Sequence, residues 1–324
     1  MNKTLGWGIG LTVLIAVGLL TWVNRYNIYD SYRLYDYTPP NAIVQLANQT
    51  TMTPYAKKLF YVYHPIIENS NDFNKDCQVT EAAIVLGCTS INRGIWLYNV
   101  SDPQLNGVEQ VTAAHEMLHV GYSRLSPSEL KYINGLIIAT YNKLAPTDPL
   151  LKTEYQSYLK TEGQGAVDNE LHSVLGTEIS TLPPALESYY SRYFTNRQVI
   201  VNYANQYEDV FTERQQQVQQ DDQQLNSWQQ QISSDETQLQ SQNQQIQAQL
   251  TQLNQLKANG QTDEYNSQIP AYNSAVDTYN ALVDSTKQLI TGYNQLVVSR
   301  NSIAISEDKL IQSISSLPSS IKGQ

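Results

Sequence analysis

The chain is short of positive charge and of sulfur. Its 20 lysines and arginines face 30 aspartates and glutamates, which leaves a net charge of -10 over 324 residues, and nowhere do basic side chains gather. Phosphate backbones are bound through clustered lysine and arginine, so nucleic acid is excluded as a partner. Only Cys77 and Cys88 are cysteines, and their spacing is not the C-x-x-C of a zinc or redox pair. Outside a membrane they are expected to form one disulfide closing a short loop, the alternative being two buried free thiols. Charged residues make up only 15% of a chain whose length suits two domains.

One long uncharged run is present, Leu5 to Val23, preceded by Lys3, followed by Asn24 and Arg25, and carrying Trp7 and Trp22. It is long enough to cross a bilayer and lacks a small-x-small cleavage pattern. The expectation is an uncleaved signal anchor, a single transmembrane helix through the lipid bilayer of the cell membrane. Residues 1-4 would form a cytoplasmic tip, with the N-terminus inside and the main domains extracytoplasmic. Residues 24-53, tyrosine-rich and containing Pro39-Pro40, have no sustained period and read as a juxtamembrane spacer.

Ordered structure is expected from Pro54. Ala82 to Leu86 and Gly94 to Val100 are apolar or β-branched runs separated by glycine, the pattern of a small antiparallel sheet. A helix is expected after Asn106-Gly107, stopping at Gly121. Another begins at Ser126-Pro127-Ser128-Glu129, an N-cap, a first-turn proline and a capping-box glutamate. Asp148-Pro149 opens a third, Ala166 to Leu175 a fourth ended by Gly176, and Pro183-Pro184 a long one reaching Ala258. The fold class is α+β: a mostly helical domain with a small sheet at 54-195, then a helical hairpin at 196-318 and a tail at 319-324.

The hairpin is expected from period. Phe211, Val218, Leu225, Ile232, Leu239, Ile246 and Leu253 recur every seven residues in a glutamine-rich background. After the turn signal Asn259-Gly260, Ile269, Val276, Val283, Ile290, Val297 and Ala304 repeat likewise. Two such helices joined by a short loop fold back as an antiparallel coiled coil, with a coiled-coil partner or self-association as an open possibility.

Histidine is also scarce, and two of the four stand in His115-Glu116-Met117-Leu118-His119. Residues four apart share a helix face, so both imidazoles can meet one ion with Glu116 beside it as proton acceptor. A catalytic zinc wants three protein ligands and one open position. Thr112 to Val120 resembles the zincin metallopeptidase signature, although Gly121 departs from the bulky residue usual there. Asn169-Glu170-Leu171-His172-Ser173 resembles the N-E-x-x-S part of the third-ligand helix in the gluzincin, or thermolysin-like, branch. The resemblance covers about residues 80 to 180 and implies one Zn2+ per chain held by His115, His119 and Glu170. The branch pattern continues with aspartate, where this chain has Val174, so another group must orient a histidine ligand. Glu178 and His172 compete with Glu170, although a regular helix cannot turn both Glu170 and His172 to one ion.

The implied activity is a zinc metalloendopeptidase that hydrolyses a peptide or protein substrate, with Glu116 as the catalytic general base. Tyr122 and His172 are candidate transition-state stabilisers by nearness and chemistry. By resemblance a substrate would pair with an edge strand at Ile95 to Val100. The alternative function is a non-catalytic surface or envelope interaction protein whose coiled-coil hairpin is the working part.

Overall fold

The computed structural model describes residues 16-77, 85-91, 93-161 and 164-316. Among the described residues the chain is mostly helical with one small sheet, an α+β fold. It divides into two compact units, Met1–Val210 with Leu310–Gln324, and Phe211–Lys309.

The first unit begins with α1 (Arg25–Leu34), α2 (Asn41–Gln49) and α3 (Pro54–Val62), followed by β1 (Ile66–Glu68), α4 (Ser70–Asp76), β2 (Gly87–Ser90) and β3 (Gly94–Tyr98). Then come α5 (Val108–Ser123), α6 (Pro127–Leu144), α7 (Pro149–Thr161), α8 (Gln164–Thr177) and α9 (Pro184–Tyr190). Helix α5 is central: it packs on α8, β2, β3, α2 and α3, and Ala113, Ala114, Met117, Leu118 and Val120 are fully buried. Its start is fixed by Gly107 at φ 110°, where a Cβ would meet the Tyr203 carbonyl oxygen at 2.6 Å. Helix α6 starts as its sequence dictates, with Ser126 and Glu129 closing a capping box over Pro127.

The sheet has the order β1-β3-β2, with β1 parallel and β2 antiparallel to β3. It is therefore mixed, and the first strand is Ile66–Glu68, which carries too few residues to register as a periodic run. The expected strand at 82-86 lies mostly outside the described residues, and the pairing strand is Gly87–Ser90 instead. Because β3 is central, both of its edges are bonded, and a substrate cannot pair with Ile95 to Val100 as expected.

Four further expectations are corrected. Among the described residues no helix is long and apolar enough to cross a membrane. Residues 5-15 of the expected anchor lie outside the described residues, and the helical stretch at 16-23 runs directly into a segment bearing Arg25, Asp30 and Arg33. The transmembrane helix, the signal anchor and the cell-membrane location and orientation are therefore withdrawn.

The spacer at 24-53 is helical and joins the core. Ile43, Leu46 and Ala47 of α2 are buried at helical spacing, and Asp30 is buried in ion pairs with Arg124 at 2.8 Å and Lys58 at 3.0 Å. These helices are only 10 and 9 residues long, too short to show a sustained period.

Gly121 and Gly176 do not stop helices. Both lie inside them, and a Cβ would come within 2.7 Å of the Tyr193 ring at Gly121 and 2.5 Å of Leu118 at Gly176. Their small size permits close packing of α5 and α8 on neighbouring side chains.

The long helix expected from Pro184 is interrupted at 191-197. Helix α10 runs Gln198–Ala258 and α11 runs Thr262–Ile314. In the second unit they run antiparallel, with Arg300 on Asp222 at 2.9 Å and Thr286 on Asp235 at 3.1 Å. The heptad residues from Phe211 to Leu253 are half-buried or buried, and the intervening seam positions include polar Asp221 and Asp235, 5% and 6% exposed. Residues 310-316 belong to the first unit, where Ser316 accepts hydrogen bonds from Ser70 and Asn74.

Candidate metal centre

Helix α5 presents His115 and His119 one turn apart, with ring centroids 4.8 Å from each other. Helix α8 packs against α5 and brings Glu170 to both rings: His115 Nε2 lies 3.3 Å from Oε2, and His119 Nε2 lies 3.5 Å from Oε1. One atom from each of the three residues falls within 4.8 Å of the others. Ligand atoms bound tetrahedrally at about 2.1 Å from a zinc stand about 3.4 Å apart. The two histidine–carboxylate separations, one to each Glu170 oxygen, are close to that edge, and the donor set suits zinc in its chemistry.

A second ring of contacts holds these groups. Ser173 Oγ lies 3.3 Å from His119 Nδ1, leaving that ring's Nε2 on the Glu170 side. Thr89 Oγ1 donates to Glu116 Oε2 at 2.8 Å. Glu116 is 5% exposed and is not one of the three grouped residues, as a base rather than a ligand requires.

The charges are strongly coupled. Burial lowers the His115 pKa, but the bonded Glu170 carboxylate, with Glu116 and Glu178, reverses this and pushes it up to about 9. Burial raises Glu170, and the His119 and His115 imidazoles outweigh it and hold it below the usual carboxylate range. Glu116 is raised by burial, against the opposing pull of both histidines and the Thr89 hydrogen bond.

The other candidates stand elsewhere. His172 is fully buried, its Nε2 bonded to the Tyr189 hydroxyl at 2.8 Å and its carbonyl accepting from Tyr190 at 2.6 Å. Burial, then His119 and His115, hold its pKa well down, so it is a neutral core histidine among Tyr122, Tyr189 and Tyr190. Tyr122 donates its hydroxyl to Asn134 at 2.9 Å, and Asn134 in turn donates to Asp168. Tyr122 and the His172 Nε2 are held by these partners, whereas His172 Nδ1 is buried with none among the described residues. Glu178 acts on His115 electrostatically and is outside the group of three. His64 stacks on Tyr37 with its Nε2 2.7 Å from the Arg33 carbonyl, a packing role.

Cys77 and Cys88 are joined in a disulfide, and the loop residues 78-84 that it closes lie outside the described residues. Sequence reasoning missed Thr89 and Ser173. Ser173 is three residues from Glu170 and so shares its helix face, a local signal that could have found it. Thr89 reaches Glu116 only through the packing of β2 on α5, for which a local pattern gives no signal. No family model, curated protein or solved structure matches the chain.

Proposed function

We propose that the chain is a zinc-dependent metallopeptidase of the gluzincin type. One observation supports the reading: two helices bring His115, His119 and Glu170 together, with one donor atom of each within 4.8 Å of the others and Glu116 beside them. A scaffold has no physical need for a buried carboxylate next to such a set, which favours an enzyme over an interaction protein.

Zinc, one per chain, supplies Lewis acidity to a water and to the scissile carbonyl. Glu116 takes the water proton, and burial, which raises its pKa, makes it a better acceptor than an exposed glutamate. It then returns the proton to the leaving amine. Ser173 keeps the His119 ring turned, and Glu170 closes the set from α8. Leu151, Tyr155, Tyr158 and Val174 line a small, mostly apolar recess beside Glu170, about large enough for one water. Since β3 is central, an extended peptide would pair with β2, an edge strand among the described residues. The α10 and α11 pair is read as an antiparallel coiled-coil hairpin.

The test combines metal analysis of the full chain with peptidase assay of Glu116→Gln. About one zinc per chain is expected in both forms, with hydrolysis in the wild type alone. A folded chain that takes up no zinc would end the reading.

A further inference from the structure

The Glu116 carboxylate is gripped by strand β2. Thr89 Oγ1 is 2.8 Å from Oε2 and 3.1 Å from the backbone carbonyl of the same glutamate. Two residues back, a Cβ on Gly87 would fall 2.7 Å from Oε1, 2.8 Å from Cγ and 2.6 Å from Thr112 Cγ2. Residues 87 and 89 of a strand share one face, and the residue between them points to the other. That residue is Cys88, and its disulfide partner Cys77 is buried in a cluster with Phe73 and Trp96. The strand is thus covalently tied on one face while its other face meets the base.

We propose that Thr89 is a positioning residue for the general base, with Gly87 clearing the space beside the second oxygen. This rests on the metallopeptidase reading. A glutamate side chain has three rotatable bonds, and a buried carboxylate without a partner would sample several positions. The Thr89 hydroxyl has one proton to give. Donated to Oε2, it fixes the rotamer and leaves Oε1 as the atom that accepts the proton. Gly87 acts by absence: any side chain there would push on Oε1 and Thr112 together. A base displaced by about 1 Å loses up to about a hundredfold in rate, because proton transfer depends steeply on the distance to the water.

The probe is a single internally quenched peptide selected on the wild-type, zinc-loaded full chain. Thr89→Val keeps the shape and removes the donor. It is expected to lower kcat by about tenfold or more, with KM within about twofold and zinc content unchanged. Thr89→Ser, which restores the donor, should recover kcat to within about threefold. A merely structural hydrogen bond would move stability and not separate kcat from KM. Should Thr89→Val fail to fold, Thr89→Ala removes the donor without adding bulk and is read the same way. Gly87→Ala, which pushes the carboxylate from the other side, should also lower kcat with zinc retained. A donor-free variant at position 89 with wild-type kcat overturns the proposal while the metallopeptidase reading stands. A wild-type chain that holds zinc and cleaves no peptide overturns both, and is told apart because the reference rate itself is missing.

Discussion

Ser173 Oγ stands 3.3 Å from His119 Nδ1, so one helix supplies both the proposed third ligand, Glu170, and a group that holds the His119 ring. Glu170 and Ser173 are three residues apart on α8 and reach α5 from the same face. Ser173→Ala should weaken zinc binding by about tenfold or more, as loss of an orienting partner does elsewhere. Competition with a chromogenic chelator measures it; a dissociation constant within twofold of wild type would remove Ser173 from the site.

How far the sequence could be read follows from the range over which each signal acts. The i,i+4 histidines, the Glu170 helix, the Ser126 capping box and the heptads of α10 are local patterns, and each is legible without a structure. The gluzincin pattern puts an orienting carboxylate where Val174 stands; the group that touches His119 is its neighbour Ser173, a residue in plain view but assigned no role. Gly121 and Gly176 were open to misreading because a helix stop and a close contact both select glycine. Only the position of Tyr193 and Leu118 decides between them. Helices α1 and α2 are too short to show a period; α1 is held by Asp30 meeting Arg124 across ninety-odd residues, and α2 by the burial of Ile43, Leu46 and Ala47.

Zinc and protons should compete for His115. In the metal-free chain burial is outweighed by Glu170, Glu116 and Glu178, and the imidazole keeps its proton to about 9 rather than the usual 6.5. A protonated ring has no lone pair for a metal, so binding must release that proton. Affinity should rise about tenfold per pH unit from 6 to 8, with about one proton released at pH 7. Calorimetry in buffers of different ionisation enthalpy checks the number, and release near zero would contradict it. Without metal, the raised His115 pKa contributes stability that is fully present below about 6.5 and lost as pH rises through about 9. The depressed Glu170 contributes stability lost in acid, as pH falls through its folded value.

Removing Asp30 should unfold more than the N-terminal helices. Its carboxylate and the Arg124 side chain are each 6% exposed, and they are bonded at 2.8 Å, while Arg124 also lies over the Tyr26 ring at 4.2 Å. Asp30→Ala leaves a buried guanidinium without its carboxylate, which costs about 3 to 5 kcal/mol. Arg124 caps the end of α5, so the loss should lower the melting temperature of the first unit as a whole. A melting temperature within about 1 °C of wild type would show that 24-53 is a dispensable spacer after all.

Gly121→Ala is the smallest change that should disturb the α5 packing. The new methyl would sit 2.7 Å from Tyr193 Cε1 and 3.0 Å from Cζ, and Tyr193 is fully buried with its hydroxyl 3.1 Å from that of Tyr189. The ring has nowhere cheap to go. Overpacking of this kind costs about 1 to 3 kcal/mol, against a gain of up to about 1 kcal/mol from helix propensity. Net destabilisation is therefore expected by thermal melting. Equal stability would mean that the Tyr189 and Tyr193 pair shifts freely.

The helix pair of the second unit should trade stability for register at Asp235. Its Oδ1 accepts from Gln231 Nε2 at 2.7 Å and its Oδ2 from Thr286 Oγ1 at 3.1 Å, and both Asp235 and Thr286 are nearly fully buried. Thr286 also donates to the Leu282 carbonyl at 2.7 Å, so it keeps a partner if the carboxylate goes. Asp235→Leu therefore removes a buried charge without stranding a hydroxyl, and replacing buried ionic groups by apolar ones is often neutral or stabilising. A heptad sequence fits itself again after a slip of seven residues, and single buried polar contacts of this sort are what penalise the slipped forms. The readout is crosslinking between cysteines introduced at the facing positions 222 and 300, whose native side chains meet in an ion pair. Against that background Asp235→Leu should leave the melting temperature unchanged or higher and lower the yield of the 222-300 crosslink, and in a second protein with cysteines at 222 and 293 it should raise the yield of the pair one heptad away. A full native yield with a lower melting temperature would reverse the assignment and make Asp235 a contributor to stability and not to register.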